Sequence, residues 1–163
     1  MTYETVTYAV ERGVGVLTLN RPDALNAMNG RMVEEIIDVQ KRVAEDDAVN
    51  ALLVQGAGRA FSAGFDLKEA DESAGDRTVE QTRAMLQIDF DMIMGFWHCP
   101  KPTVSAVHGY CLAGACEVML ACDMTVASED ARFGEPEVRF GAGIVVMLMP
   151  WMTGPKQAKE LLL

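Results

Sequence analysis

Basic residues are scarce in this 163-residue chain, which has 14 lysines and arginines against 24 aspartates and glutamates. The formal net charge of −10 argues against nucleic acid or an anionic membrane surface as a partner, because both are bound through clustered positive charge. Long apolar runs are also lacking, since a charge interrupts every stretch that could span a bilayer. The first residues have none of the zones of a secretory signal peptide. We therefore expect a cytoplasmic protein that binds neither nucleic acid nor membranes.

Nucleotide-binding and hydrolase motifs are missing as well. The two Gly-Ala-Gly runs are followed by Phe61 and Val146 where a dinucleotide fingerprint needs its third glycine, and there is no phosphate loop. The residues around Ser62 and Ser105 do not form the Gly-x-Ser-x-Gly turn of a hydrolase nucleophile. These absences disfavour a flavodoxin-like nucleotide binder and a serine hydrolase.

Cysteine pairs with the spacing of metal ligands are also absent. None of the cysteines forms a Cys-x-x-Cys pair and at least three have apolar neighbours, so we predict buried, reduced thiols and no metal site. A zinc site that uses His108 with three of them is the alternative, although its spacings match no common zinc pattern. His98 and His108 have no evident catalytic partners and are interpreted as structural. The cysteines are Cys99, Cys111, Cys116 and Cys122.

What the sequence does contain is an alternation of strand and helix patterns. Apolar residues at three- and four-residue steps predict helices, and short apolar runs between turn residues predict strands. Such alternation indicates one α/β domain, residues 1–163, with largely parallel strands. The predicted strands cover 6–10, 14–19, 51–55, 103–107 and 124–127; the predicted helices cover 29–43, 79–97, 115–122, 142–152 and 155–163; and 109–114 is predicted to form a turn.

Two carboxylates in apolar surroundings are candidates for acid and base chemistry. Glu117 lies in an almost wholly apolar run, and glutamate is almost never fully buried without a partner or a function. Glu137 follows 20 residues later (137 − 117), and two carboxylates at one cavity can divide acid and base roles. The alternatives are structural. Glu117 could pair with Arg132 or Arg139, and Glu137 could lie with Glu135 on a solvated loop.

Gly64 and Gly114 each lie in a run of small residues. A turn that leads into a helix leaves backbone N–H groups free. Two such groups directed at one carbonyl oxygen would form an oxyanion hole. The alternative is that these glycines only permit close packing.

Several segments resemble, in order and spacing, the crotonase (enoyl-CoA hydratase/isomerase) superfamily. Each match is weak alone, but the ordered series is specific and runs from about residue 6 to the end of the chain. The segments are 20–28 (Asn-Arg-Pro-Asp-Ala-Leu-Asn-Ala-Met), 59–67, 102–110, 113–117 (Ala-Gly-Ala-Cys-Glu), 122–123 and 133–137 (Phe-Gly-Glu-Pro-Glu).

The resemblance implies an α/β fold, a crotonase-like spiral of ββα units, and an acyl-CoA thioester as substrate. The backbone N–H groups of Phe65 and Gly114 would hold the thioester oxygen, where negative charge develops. The family's C-terminal helices, which complete the acyl pocket and support homotrimers or dimers of trimers, are missing from this sequence. The residues in the family's substrate-binding loop are Ala63, Asp66, Leu67 and Lys68.

The resemblance also implies a reaction. Glu117 would activate water for attack on Cβ of a trans-2-enoyl-CoA, and Glu137 would deliver a proton to Cα, with no metal or redox cofactor. Family members that only move a double bond commonly keep one of these glutamates, so the pair favours hydration. An enoyl-CoA isomerase or other crotonase-type lyase is the alternative enzyme, and a non-catalytic CoA-thioester-binding protein is the alternative of another class.

Two departures from the family pattern concern the site. Residues 140–147 replace the Pro-Gly-rich turn that helps to shape the water site in hydratases of the family. Asp23 stands where some members carry a lysine near the CoA phosphates. Arg21, Arg59 or Lys68 could supply the missing positive charge, or could be solvated surface residues.

Overall fold

A hairpin begins the chain in the computed structural model, which describes residues 2–69 and 77–163. Strand β1 (Val6–Glu11) pairs antiparallel with β2 (Val14–Leu19). Arg12 and Gly13 make the turn between them with positive φ angles of 52° and 83°. Alternate residues of β2 are buried, as expected for a strand with one face on the core.

Helix α1 (Gly30–Glu45) packs its apolar stripe into the core. The Asn29 side chain caps it by accepting a hydrogen bond from the Met32 N–H. The three- and four-residue periodicity correctly predicted this helix. Its buried residues are Met32, Val33, Glu35, Ile36, Val39 and Val43.

Three consecutive ββα units follow. The first strand of each unit extends one sheet of order β1-β2-β3-β5-β7, which is parallel from β2 onward. The second strand extends a separate parallel sheet of order β4-β6-β8. The chain therefore advances as a spiral, and the predicted fold class is confirmed. The units are β3 (Ala51–Gly56), β4 (Ala60–Ser62) and α2 (Val79–Trp97); β5 (Thr103–Val107), β6 (Tyr110–Leu112) and α3 (Gly114–Ala121); and β7 (Met124–Ala127), β8 (Arg132–Gly134) and α4 (Glu137–Phe140).

The last part of the chain differs from the prediction. Only Met149–Met152 (α5) is helical within the predicted helix 142–152, and α6 (Pro155–Leu162) follows it. Gly141 has φ +76° and ends α4, so the chain leaves the helical conformation before residue 142. The segment 110–112, predicted as part of a turn, forms β6 because it pairs with β4 and β8.

The cysteines are free thiols, and three of the four are buried. The described residues contain no group of three or more His, Cys, Asp or Glu side chains placed to hold a metal ion. His108 Nε2 lies 2.9 Å from the Gly58 carbonyl oxygen, a contact expected of a structural histidine. No helix in the described part of the chain is both long and apolar enough to cross a membrane.

Candidate active site

A cavity of about 460 Å³ lies where the loop after β4 meets the β6–α3 turn, α2 and the segment around α4. Most of the site residues predicted from the sequence contribute to its wall. Lys68 is exposed and does not line it, and Glu117 lies fully buried behind the wall. The predicted residues that line the cavity are Ala63, Phe65, Asp66, Leu67, Gly114 and Glu137.

Phe65 and Met28 form an isolated β-bridge, and the Phe65 N–H points away from it. The Met28 N–H donates to the Gly64 carbonyl at 2.8 Å, and the Asp66 N–H donates to the Met28 carbonyl at 3.0 Å. Because consecutive peptide groups of an extended chain point to opposite sides, the N–H between them points away from Met28. Gly64 has φ +92°, which favours glycine at this position.

The second N–H of the predicted oxyanion hole belongs to Gly114, the first residue of α3. The first N–H groups of a helix have no partner within the helix. A Cβ atom on Gly114 would lie 2.5 Å from Phe65 Cε2, and one on Gly64 would lie 3.3 Å from the Gly114 nitrogen. The two segments therefore pack in direct contact, and a side chain at either glycine would force them apart.

Glu117 follows Gly114 by one turn of α3 and is 0% exposed. Its Oε2 accepts a hydrogen bond from the Leu148 N–H at 2.9 Å, while Oε1 has no hydrogen-bond donor in the described part of the chain. Burial, reinforced by the nearby Glu137 carboxylate, raises the pKa of Glu117 to about 7, although the Leu148 N–H opposes the rise. A carboxyl group with such a pKa can accept or release a proton near neutral pH.

Glu137 begins α4 and is also buried, so the solvated-loop interpretation of this residue is wrong. Its Oε2 has no hydrogen-bond partner among the described residues. The predicted alternative partners of Glu117 are engaged elsewhere: the Arg132 guanidinium lies 6.0 Å from the centre of the Tyr110 ring, and Arg139 Nη2 donates to the Leu163 carbonyl at 3.3 Å.

Glu135 was not among the predicted site residues, and the sequence analysis named it only in the alternative of a solvated loop. It is 0% exposed, and neither carboxyl oxygen has a hydrogen-bond partner in the described part of the chain. One sequence feature could have indicated Glu135 as a site residue: it follows strand β8 directly and lies two residues before Glu137. Its burial depends on α3 and α6, which the local sequence does not specify.

Charged side chains also lie in the cavity wall. Asp66 pairs with Arg21, whose Nη1 is 2.8 Å from Asp66 Oδ2, and this hydrogen bond holds the pKa of Asp66 below its usual value. Arg21 is therefore held against the loop after β4.

Asp89 on α2, which the sequence analysis missed, also lines the cavity. Burial raises the pKa of Asp89 to about 6, opposed by the charge of Arg77 and reinforced by that of Glu69.

The sequence profile of the enoyl-CoA hydratase/isomerase family matches residues 9–163, so the chain belongs to this family, the crotonase superfamily. It is 35% identical over 159 residues to a probable enoyl-CoA hydratase of Mycobacterium tuberculosis, covering 96% of this chain and 56% of that protein. It is 35% identical over 168 residues to the crotonyl-CoA hydratase of Syntrophomonas wolfei, covering 99% of this chain and 62% of that protein.

Solved structures agree with the family assignment. The crystal structure of an enoyl-CoA hydratase/isomerase from Xanthobacter autotrophicus superposes with a TM-score of 0.94 at 55% sequence identity. The match covers 99% of this chain and 60% of that chain. The chain thus spans little more than half the length of these relatives.

Proposed function

We propose that this chain provides the catalytic core of an enoyl-CoA hydratase, which adds water reversibly across the 2,3 double bond of a trans-2-enoyl-CoA. The observation that carries the proposal is the buried carboxyl pair, Glu117 and Glu137, beside a cavity that Phe65 and Gly114 also line. The curated relatives named as hydratases support the same activity.

In the proposed reaction, the enoyl thioester oxygen accepts hydrogen bonds from the N–H groups of Phe65 and Gly114. Attack at Cβ moves the electron pair of the double bond toward this oxygen and creates enolate character. Donors that are already in position stabilise that charge more than they stabilise the uncharged substrate, which lowers the barrier.

The two glutamates divide the proton transfers. The Glu117 carboxylate accepts a proton from the water that attacks Cβ, and protonated Glu137 delivers a proton to Cα. The raised pKa of Glu117, about 7, suits a base that must also release its proton in each cycle. The unpartnered Oε1 of Glu117 is the atom available to the water.

The remaining parts of the proposal concern ligands and assembly. Hydration changes no oxidation state overall, so the reaction needs no electron acceptor, and we propose that it proceeds without a metal or other cofactor. Ala63, Asp66, Leu67 and Lys68 are proposed to contact the CoA part of the substrate. A homotrimer or dimer of trimers in the cytoplasm is the proposed assembly.

The decisive experiment follows the ultraviolet absorbance of crotonyl-CoA, whose conjugation is lost when water adds. We expect absorbance to fall on addition of the chain and 3-hydroxybutyryl-CoA to accumulate. The proposal would be contradicted if the protein hydrated no 2-enoyl-CoA, whatever the length of the acyl group. Rapid conversion of a 3-enoyl-CoA without hydration would identify an isomerase instead, and thioester binding without turnover would identify a binding protein.

A further inference from the structure

Glu135 is a third buried carboxyl at the proposed active site. Its backbone N–H donates to the Leu161 carbonyl at 2.9 Å, which fixes the residue between β8 and α6. The side chain is 0% exposed, so bulk solvent does not solvate it. Its position is therefore set by the packing of two elements.

In the described ranges, the main electrostatic neighbours of Glu135 carry no positive charge. They are the thiols of Cys116 on α3 and Cys111 on β6, and the carboxyls of Glu117 on α3 and Glu137 on α4. No lysine or arginine in the described ranges forms an ion pair with any of the three glutamates. Burial first, and then these neighbours, raise the pKa of Glu135 far above its usual value.

Glu35 on α1 shows how this chain stabilises a buried carboxylate that remains charged. Glu35 is 3% exposed and accepts hydrogen bonds from the Glu4 N–H, the Thr5 N–H and the Thr5 hydroxyl at 2.8, 2.9 and 2.6 Å. It also pairs with Arg31 at 3.1 Å. Glu135 has none of these donors, and an ionised carboxylate without donors or cations is strongly disfavoured in a protein interior.

A carboxyl group that keeps its proton is a hydrogen-bond donor as well as an acceptor. Glu117 and Glu137 are both neighbours of Glu135: Glu137 is two residues away along the chain, and the Cys116 thiol, one residue before Glu117, donates to the Gly134 carbonyl, one residue before Glu135, at 3.5 Å. Both neighbouring glutamates have a buried oxygen with no other partner in the described part of the chain. A single O–H at Glu135 can therefore donate a hydrogen bond to whichever of Glu117 and Glu137 is ionised.

We propose that Glu135 is a positioning residue, a neutral carboxylic acid whose O–H donates a hydrogen bond to the ionised member of the Glu117–Glu137 pair. Its proton remains on Glu135 throughout. The donated bond moves from Glu117 to Glu137 as water's proton reaches Glu117 and Glu137 gives its own proton to Cα. This inference rests on the proposed function for its role in turnover, but not for its protonation state.

The test compares Glu135→Gln, Glu135→Leu and the control Glu35→Gln. Glutamine keeps a donor of nearly the same shape, and leucine keeps the volume without any donor. We expect Glu135→Gln to retain activity close to that of the unmodified chain and Glu135→Leu to lose about tenfold or more, as for an unsatisfied buried charge. The acid limb of the kcat/KM profile should move to higher pH in Glu135→Leu alone, because Glu117 loses a bond that favours its ionised form.

A second measurement does not depend on activity. With ¹³C-labelled glutamate carboxyls, nuclear magnetic resonance at about pH 8 should show a protonated carboxyl, since ordinary glutamates are ionised there. One such signal should be lost in Glu135→Gln and kept in Glu35→Gln and in Glu137→Gln, since the proposed mechanism also places a proton on Glu137. If the signal is missing, or if Glu135→Gln is as impaired as Glu135→Leu, the inference is wrong. An unmodified chain without hydratase activity would overturn the proposed function, while the resonance experiment would still decide the protonation of Glu135.

Discussion

At the residue scale, the proposed chemistry depends on the ionisable carboxyls of Glu117 and Glu137. We expect Glu117→Gln and Glu137→Gln each to reduce turnover of crotonyl-CoA by about 10²-fold or more, because an amide neither accepts nor delivers the proton. Steady-state hydration, with circular dichroism to verify folding, measures the effect. Glu35→Gln is the matched control, since Glu35 is also buried but lies outside the site. Full activity in either site variant would remove that residue from the mechanism.

The pKa of Glu117 makes a second prediction at this scale. The proposed base must be ionised, so kcat/KM should rise with pH and level off above about 7. This rise of kcat/KM with pH should be lost in Glu117→Gln, because the variant has no carboxyl group at position 117 to titrate. If kcat/KM of this variant still rises with pH in the same way, the titrating group is another residue.

Individual residues differ in how far the sequence predicts them. The burial of Glu117 is predictable because nearly all its neighbours along the chain are apolar, so any fold that buries them buries Glu117 too. Glu135 was not predicted as a site residue because its own neighbours include Pro136 and Glu137, and its cover comes from α3 and α6. Side-chain burial that depends on contacts distant in sequence is absent from the local pattern.

At the scale of elements, the site depends on the close approach of the loop after β4 to the start of α3. Gly64→Ala would place a Cβ atom 2.7 Å from Ala113 Cβ and 2.8 Å from the Leu112 carbonyl oxygen, at a φ of +92°. We expect a loss of about 1–2 kcal/mol in the free energy of unfolding from the backbone conformation alone. The displaced Phe65 N–H should lower kcat/KM by about 10²-fold or more.

Denaturant unfolding and hydration kinetics check this prediction. Gly143→Ala is the control, because Gly143 also lines the cavity but a Cβ atom there has nothing within 4 Å. Equal effects of the two substitutions would mean that contact between the loop after β4 and the start of α3 does not hold the proposed oxyanion hole in place.

Elements of different length were also predicted with different success. Strands β1 to β3, β5 and β7 and helices α1 to α3 were correctly located, since each is long enough to stand out as an apolar run or a periodic segment between turn residues. Strands β4, β6 and β8 have three residues each, which is too short for alternation to be recognised. These short strands form the second sheet, so the spiral followed from the family resemblance and not from periodicity.

At the scale of the whole molecule, the raised pKa values of Glu117 and Glu135 link stability to pH. Both groups keep protons in the folded chain at pH values where the unfolded chain has lost them. Their contribution to the free energy of unfolding is complete below the ordinary glutamate pKa of 4.5. It is lost as the pH rises toward the pKa values that the two groups have in the folded chain. Each proton retained only in the folded state lowers the free energy of unfolding by about 1.4 kcal/mol per pH unit.

We therefore expect the free energy of unfolding to fall as pH increases from about 5 to 7, and to fall less steeply in Glu135→Gln, which has no proton to lose. Urea denaturation at several pH values measures both slopes. Parallel slopes for the two proteins would show that Glu135 ionises equally in the folded and unfolded chains.

Ala113, which precedes Gly114, has φ 55° and ψ −137°, a conformation that costs a residue with a side chain about 1–3 kcal/mol. Strand β6 and helix α3 hold it there, and in doing so they fix the direction of the Gly114 N–H. Thermostability and catalytic precision are therefore opposed at this position. A selection for heat resistance would favour Ala113→Gly, which relaxes the backbone, and would thereby enrich chains whose proposed oxyanion hole is less well ordered.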